Sequence, residues 1–368
     1  FMTVLLLSEI FPPQTGGSGR WFYEIYRRMP PESVIIAAGK HPLAERFDRQ
    51  SGIRTVRLPL HMDKWGVFGL QGITQYWRLA TRIRDLIRKH ECRELHVARC
   101  LHEGFVAWIL KSVYRIPYVV YVHGEETRTS ATSRELTWMT SRAYGGANYL
   151  IANSHNTARI LQEECNVSPS RIRVLHPGVD TSRFIPTAAS DQVRQDLGWH
   201  GRSVILTVGR LQIRKGHDML IRALPRIRQH IPDMLYAVAG DGEERGRLAA
   251  LADEFDVMDN VQFLGELTDD RLVECYQQCD VFALPNREVD GDFEGFGMVL
   301  VEAQACGKPV VAGDSGGTHE TMDVGKTGLV GDCSSPAFLE ETLTALLRDE
   351  SRRVSMGISG REWVLRHF

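Results

Sequence analysis

The chain has 368 residues, 43% hydrophobic and 24% charged, which excludes a disordered polypeptide and exceeds the roughly 250–300 residues at which one core stops growing. Its net charge of −2 conceals an asymmetry: 25 Lys and Arg stand against 16 Asp and Glu up to Phe184, but 19 against 30 beyond it. No apolar run approaches the ~20 residues that cross a bilayer, and the first is too short for a secretion signal, so a cytoplasmic two-domain protein is expected.

Short apolar, β-branched runs alternate with amphipathic stretches along the whole chain, the pattern of βαβ units on a parallel sheet. In such sheets ligands bind beyond the carboxyl ends of the strands, so the segments that leave the strands are where a site is sought. The first predicted strand, residues 4–8, leads into Phe11-Pro12-Pro13-Gln14-Thr15-Gly16-Gly17-Ser18-Gly19-Arg20 and a helix from near Trp21. Gly16, Gly17 and Gly19 would let backbone N–H groups approach a phosphate at the positive helix end, with a plain flexible loop as the alternative. A dinucleotide fingerprint does not fit: the loop is too long, and the second strand, 34–38, ends in Ala37-Ala38-Gly39-Lys40 without an acid.

A third strand is predicted at 55–59. Residues 64–89 then combine Lys64, Trp65, Phe68, Trp77, Arg78, Arg82, Arg84, Arg88 and Lys89. Ile73, Tyr76, Trp77, Ala80, Ile83 and Ile87 fall at helical spacing there, as in a helix lying on a membrane surface or one simply packed on its sheet. The basic first part could likewise attract an anionic membrane or acceptor. After a strand at 95–98, the strand at 118–122 delivers His123-Gly124-Glu125-Glu126 into a loop, which places His123 to meet substrate. His61, His90, His102 and His217 read as surface or packing residues. Strands at 149–152 and 172–175 close the first part. Pro177-Gly178-Val179-Asp180 and Pro186 then form a linker without periodicity, and the domain boundary is set at 184, giving domains 1–184 and 185–368.

The second part repeats the pattern with strands at 204–208, 235–239, 261–264, 281–284, 310–312 and 328–330. Its first strand runs into Gly209-Arg210-Leu211-Gln212-Ile213-Arg214-Lys215-Gly216 ahead of a helix from about His217. Arg210 and Lys215 on this loop can converge on a diphosphate, one as a planar fork and the other as a point charge. The following loops, Gly240-Asp241-Gly242 and Gly265-Glu266-Leu267, could hold a base or ribose through backbone groups. The most informative stretch runs from Asp292 to Gly307. Here Glu294 sits in a glycine-rich turn, and Phe296, Gly297, Met298 and Val299 lead into a helix whose free N–H groups suit a phosphate. Glu302, one turn into that apolar helix, needs a partner and can accept hydrogen bonds from ribose hydroxyls. Asp290-Gly291-Asp292 superficially resembles an acidic metal motif but reads better as a solvated loop. Seven cysteines without a C-x-x-C pair read as reduced, buried thiols.

Taken in order, Gly16-Gly17, His123-Gly124, His176-Pro177-Gly178-Val179-Asp180, Gly209-Arg210 with Lys215-Gly216, Gly240-Asp241-Gly242, Glu294 with Glu302, and Gly316-Gly317 resemble glycosyltransferase family 4. The likeness covers nearly the whole chain and is nearest in type to bacterial phosphatidylinositol mannosyltransferases and exopolysaccharide glycosyltransferases. It implies an α/β GT-B fold of two Rossmann-like domains with parallel sheets facing a cleft, the first binding acceptor and the second a nucleotide sugar. It implies retention at the anomeric carbon, no metal and no cofactor beyond the nucleotide diphosphate sugar as co-substrate. The donor would be held by Gly16, Gly17, Gly19, Arg210, Lys215, Glu266, Leu267, Glu294, Phe296, Gly297, Met298, Val299 and Glu302. His123, Glu294, Arg210 and Lys215 would carry the chemistry. The resemblance further implies a glycan or lipid-linked acceptor, peripheral contact with the inner membrane surface, no nucleic-acid partner, and a last helix that packs back on the first domain. A silent nucleotide-sugar-binding subunit and a same-fold sugar-nucleotide epimerase are the competing readings.

Overall fold

The computed structural model describes residues 3–14, 16–62, 65–124, 130 and 132–368. The strands are β1 (Val4–Ser8), β2 (Val34–Gly39), β3 (Thr55–Leu58), β4 (Glu94–Val97), β5 (Tyr118–Val122), β6 (Tyr149–Ala152) and β7 (Ile172–Val174). They continue with β8 (Ser203–Val208), β9 (Met234–Ala239), β10 (Val261–Gly265), β11 (Val281–Leu284), β12 (Val310–Gly313) and β13 (Gly328–Gly331). All stand where the apolar runs predict, with ends displaced by at most one residue.

These strands form two parallel sheets, a seven-stranded one in the order β3-β2-β1-β4-β5-β6-β7 and a six-stranded one in the order β10-β9-β8-β11-β12-β13. Both are doubly wound, and strand order reverses between β1 and β4 in the first and between β8 and β11 in the second. Such switch points open a crevice at the carboxyl edge, where ligands bind. Helices on both faces of a parallel sheet explain why its strands are apolar throughout: all five residues of β1 and all six of β9 are buried. The pleat sorts them. Ile205, Tyr236 and Val238 enter the core on one face of the second sheet, while Val204, Leu206, Leu235 and Ala237 enter the core on the other.

The chain divides into two compact units, Phe1–Pro177 and Gly178–Phe368. The stretch between Pro177 and the expected boundary at 184 goes with the second unit for a packing reason. Phe184 is buried there beside Tyr276, their ring centroids 5.8 Å apart, and Arg361 donates to the Thr181 and Phe184 carbonyls at 2.9 and 2.6 Å. Arg361 lies on the last helix, Glu350–His367, whose Val364 is buried in the same unit's core.

Candidate active site

In the second unit the chain leaves β8 through Gly209 and Arg210, makes a short turn at Ile213–Lys215, and enters the helix His217–His230. Gly216 joins turn to helix at φ +73°, and a Cβ there would lie 1.7 Å from the Pro285 carbonyl oxygen. Only glycine allows this approach of the β8 loop to the segment leaving β11. The same two segments are tied by the Arg287 N–H donating to the Arg214 carbonyl at 2.8 Å. The Arg287 guanidinium also grips the buried Asp218 carboxylate with bonds of 2.8 and 2.9 Å.

That junction brings Glu294 against two cations. Lys215 Nζ lies 2.5 Å and Arg214 Nη1 3.0 Å from the same carboxylate oxygen, and Arg214 Nε lies 3.3 Å from Asp292. Burial alone would raise the Glu294 carboxyl, but Lys215 and Arg214 hold it below the usual range. For Lys215 burial wins: its ammonium is pushed down, with Glu294 opposing the shift. The Asp-Gly-Asp sequence is turn chemistry. Val289 and Asp292 exchange backbone hydrogen bonds of 3.0 and 2.9 Å across Asp290 and Gly291, both at positive φ, a type I′ hairpin turn with Asp292 turned to Arg214.

From Glu294 the chain passes buried Phe296 and Gly297 into the helix Met298–Ala305, so Met298 and Val299 supply its first N–H groups. The Gly317 N–H donates to the Glu294 carbonyl at 3.0 Å, which fixes this turn to the loop after β12. Glu302 is buried one turn into the helix and accepts a 2.7 Å hydrogen bond from the Tyr276 hydroxyl, the partner that its burial demands. The remaining loops meet at the same edge. Leu211 N–H donates to the Asp241 carbonyl at 3.1 Å and Gly240 N–H to the Gly265 carbonyl at 2.8 Å, beside exposed Glu266 and half-buried Leu267. Arg210 is exposed and makes no ion pair among the described residues, so the cation on Glu294 beside Lys215 is Arg214.

In the first unit the helix after β1 spans Gly17–Tyr26 rather than starting near Trp21. Gly17 and Gly19 thus form its first turn, which the poor helix propensity of glycine hides in the sequence. Gly16 and Gly17 are exposed; Gly19 is buried. Thr15, Lys64, Glu125 and Glu126 lie outside the described residues. His123 follows β5 with Trp21 and Phe22 edge-on to its ring, centroids 5.6 and 5.7 Å away. Its Nε2 lies 2.9 Å from the Ala98 carbonyl, which can only accept, so Nε2 carries the hydrogen. Arg214, Tyr276, Trp21 and Phe22 carry no site signal in the sequence; only the tertiary fold brings them to Glu294, Glu302 and His123.

Residues 190–363 match the family model of glycosyl transferases group 1, and residues 15–183 that of Glycosyltransferase Family 4. Over 369 residues the chain is 31% identical to a GDP-mannose-dependent alpha-(1-6)-phosphatidylinositol monomannoside mannosyltransferase of Mycolicibacterium smegmatis, covering 98% of this chain and 94% of that protein. The chain belongs to glycosyltransferase family 4. This glycosyltransferase is also 31% identical to the monoacylated-substrate mannosyltransferase of Corynebacterium glutamicum, over 98% of this chain and 92% of that one. Its fold matches Anabaena HepE, solved in complex with UDP-glucose, with a TM-score of 0.84 at 22% identity over 100% of this chain and 96% of that one. The architecture is GT-B. The glycosyltransferase moves a sugar from a nucleotide sugar to an acceptor.

Proposed function

We propose that the enzyme transfers a hexose of mannose or glucose type, with retention and without a metal, from a nucleotide diphosphate sugar to a hydroxyl of a glycan or lipid-linked acceptor. The observation that carries this reading is the Lys215–Glu294–Arg214 cluster at the second switch point, beside the helix that starts at Met298. Breaking a sugar–phosphate bond builds negative charge on the diphosphate, and preorganised cations and N–H groups stabilise it without a metal. A diphosphate carries more charge than one carboxylate and competes for Lys215, while Arg214 keeps Glu294 in place to face the sugar. Arg210 joins Lys215 on the diphosphate, with the N–H groups of Gly297, Met298 and Val299 completing the cradle, and on the first unit Gly16, Gly17 and Gly19 offer donor-binding N–H groups of their own. Glu302 takes the ribose hydroxyls, the Glu266 and Leu267 backbone takes the base, and His123 stabilises the reacting centre. Retention follows from attack on the face that the leaving phosphate occupies, the phosphate accepting the acceptor's proton. Proton NMR of donor hydrolysis tests this: an α-linked donor should release α-hexose first, at the same rate in EDTA, whereas initial β-hexose or loss of activity in EDTA contradicts it.

The acceptor side suits a peripheral position on the inner face of a membrane. The helix Leu70–Lys89 buries Tyr76, Leu79, Ala80, Ile83 and Ile87 on its sheet, yet Phe68, Leu70, Ile73 and Trp77 are 70%, 85%, 51% and 51% exposed. Arg78, Arg82, Arg88 and Lys89 are exposed on the same helix. An apolar tip flanked by cations matches an anionic bilayer surface. No helix among the described residues is long and apolar enough to cross a membrane. Flotation with phosphatidylglycerol vesicles should recover the enzyme and lose it on Phe68→Ser with Trp77→Ser; equal recovery of both proteins removes the membrane contact.

A further inference from the structure

The loop that carries Arg210, Arg214 and Lys215 is held from behind by the first two residues of the helix that follows it. His217 is 2% exposed, and its Nδ1 lies 2.9 Å from the Tyr236 hydroxyl. Tyr236 donates to Thr207 Oγ1 at 3.1 Å and Thr207 donates to the Ala283 carbonyl at 2.6 Å, which ties the ring through β9 and β8 to β11. The Arg210 backbone hydrogen-bonds the same imidazole. Asp218, 5% exposed, accepts from both terminal guanidinium nitrogens of Arg287, whose own N–H donates to the Arg214 carbonyl at 2.8 Å. One helix start therefore holds both Arg210 and Arg214.

Asp218 stands three residues beyond Lys215 with a charge opposite to the one a diphosphate needs there. An acid in the first turn suits the positive end of the helix, but an exposed one would serve that purpose. This carboxylate is buried, cannot turn to water, and keeps its charge only with a partner. Arg287 is that partner. Its planar fork satisfies both carboxylate oxygens and leaves the pair without net charge beneath the loop. Arg247, half-exposed and 3.8 Å from the same carboxylate, adds little, because solvent screens it. The tie between His217 and Tyr236 keeps the helix start from rotating, so Asp218 stays behind the cations whether or not Arg287 is paired with it.

We infer that Asp218 and Arg287 are a positioning pair for the diphosphate cations: the pair fixes the Arg214 end of the loop, and Arg287 cancels a buried charge that would repel the nucleotide. The proposal deepens the transferase reading and rests on it. Both residues act through Arg214 and Lys215 rather than on the nucleotide itself. The sign of the effect separates this role from plain packing. Without Arg287, an uncompensated carboxylate opposes the diphosphate; without the Asp218 charge, a further cation stands beneath the loop. A purely structural pair would lose affinity alike from either side.

Calorimetry of the full enzyme with GDP, UDP and ADP in EDTA, with thermal denaturation of the same samples, tests this. Arg287→Gln should weaken the nucleotide that the wild type binds about tenfold. Asp218→Asn should hold or tighten that affinity, although both variants lower the melting temperature because each breaks a buried pair. The double variant, which removes both charges, should return to within about threefold of wild type, as should Arg287→Lys, which keeps the charge but not the fork. Equal weakening in the two single variants, wild-type affinity in Arg287→Gln, or no recovery in the double variant overturns the proposal. Failure of the wild type to bind any nucleotide would sink the transferase reading and the pair's role with it, so the two failures are distinguishable.

Discussion

Burial pushes the Glu103 carboxyl up to about 8, against the Glu9 N–H and the field of Arg99, and pushes His102 and His217 down to about 4. The ordinary values are 4.5 and 6.5. As pH falls from 6.5 toward 4, the unfolded chain binds protons that these two histidines refuse, so stability falls. As pH rises from 4.5 to 8, the unfolded chain releases a proton that Glu103 keeps, so stability falls on this side as well. Below pH 6.5 the two histidines outweigh the one glutamate, which places the maximum near 6.5. A thermal-denaturation series should lose about 1 kcal/mol between pH 6.5 and 8, the Glu103 loss being partly offset by the two histidines. Glu103→Gln should flatten that limb; an unaltered slope would show that Glu103 ionises normally. At Glu302, removing the carboxylate should weaken nucleotide binding about 10- to 100-fold by calorimetry, and Tyr276→Phe by less, because only one of its bonds is lost. His123→Ala should lower turnover far more than donor affinity, and wild-type turnover in that variant would remove it from the mechanism.

Among elements, the joint between the β8 loop and its helix is the most constrained. Gly216→Ala adds a left-handed alanine and a contact with the Pro285 carbonyl, and should cost at least about 2 kcal/mol while displacing Lys215. A melting temperature equal to wild type would mean that the β11 segment yields. At this scale most of the molecule is legible in the sequence: strands buried on both faces are continuous apolar runs, and glycine-rich or polar loops mark their carboxyl ends. What stays hidden depends on tertiary contact. Arg214 and Arg210 sit four apart on one loop, and only the approach of the β11 segment selects Arg214 as the cation on Glu294. Tyr276 is indistinguishable from any core tyrosine until Glu302 is placed beside it. His102 stands several residues past β4 in a stretch without periodicity, so its burial has no sequence signal.

For the molecule as a whole, each unit has its own core and its own switch point, and the chemistry divides between them. The acidic second unit carries Arg210, Arg214 and Lys215 on the loop after β8, with Arg210 and Lys215 proposed to meet the diphosphate and Arg214 to hold Glu294. The basic first unit carries His123 and the exposed Phe68–Trp77 tip. The second unit is proposed to bind a nucleotide diphosphate sugar through protein groups alone. Calorimetric titration of the enzyme with GDP, UDP and ADP in EDTA tests it most directly. One of them should bind without metal, and Lys215→Ala should weaken it about 100-fold. Binding that appears only with a divalent cation, or none to any nucleotide, would contradict it.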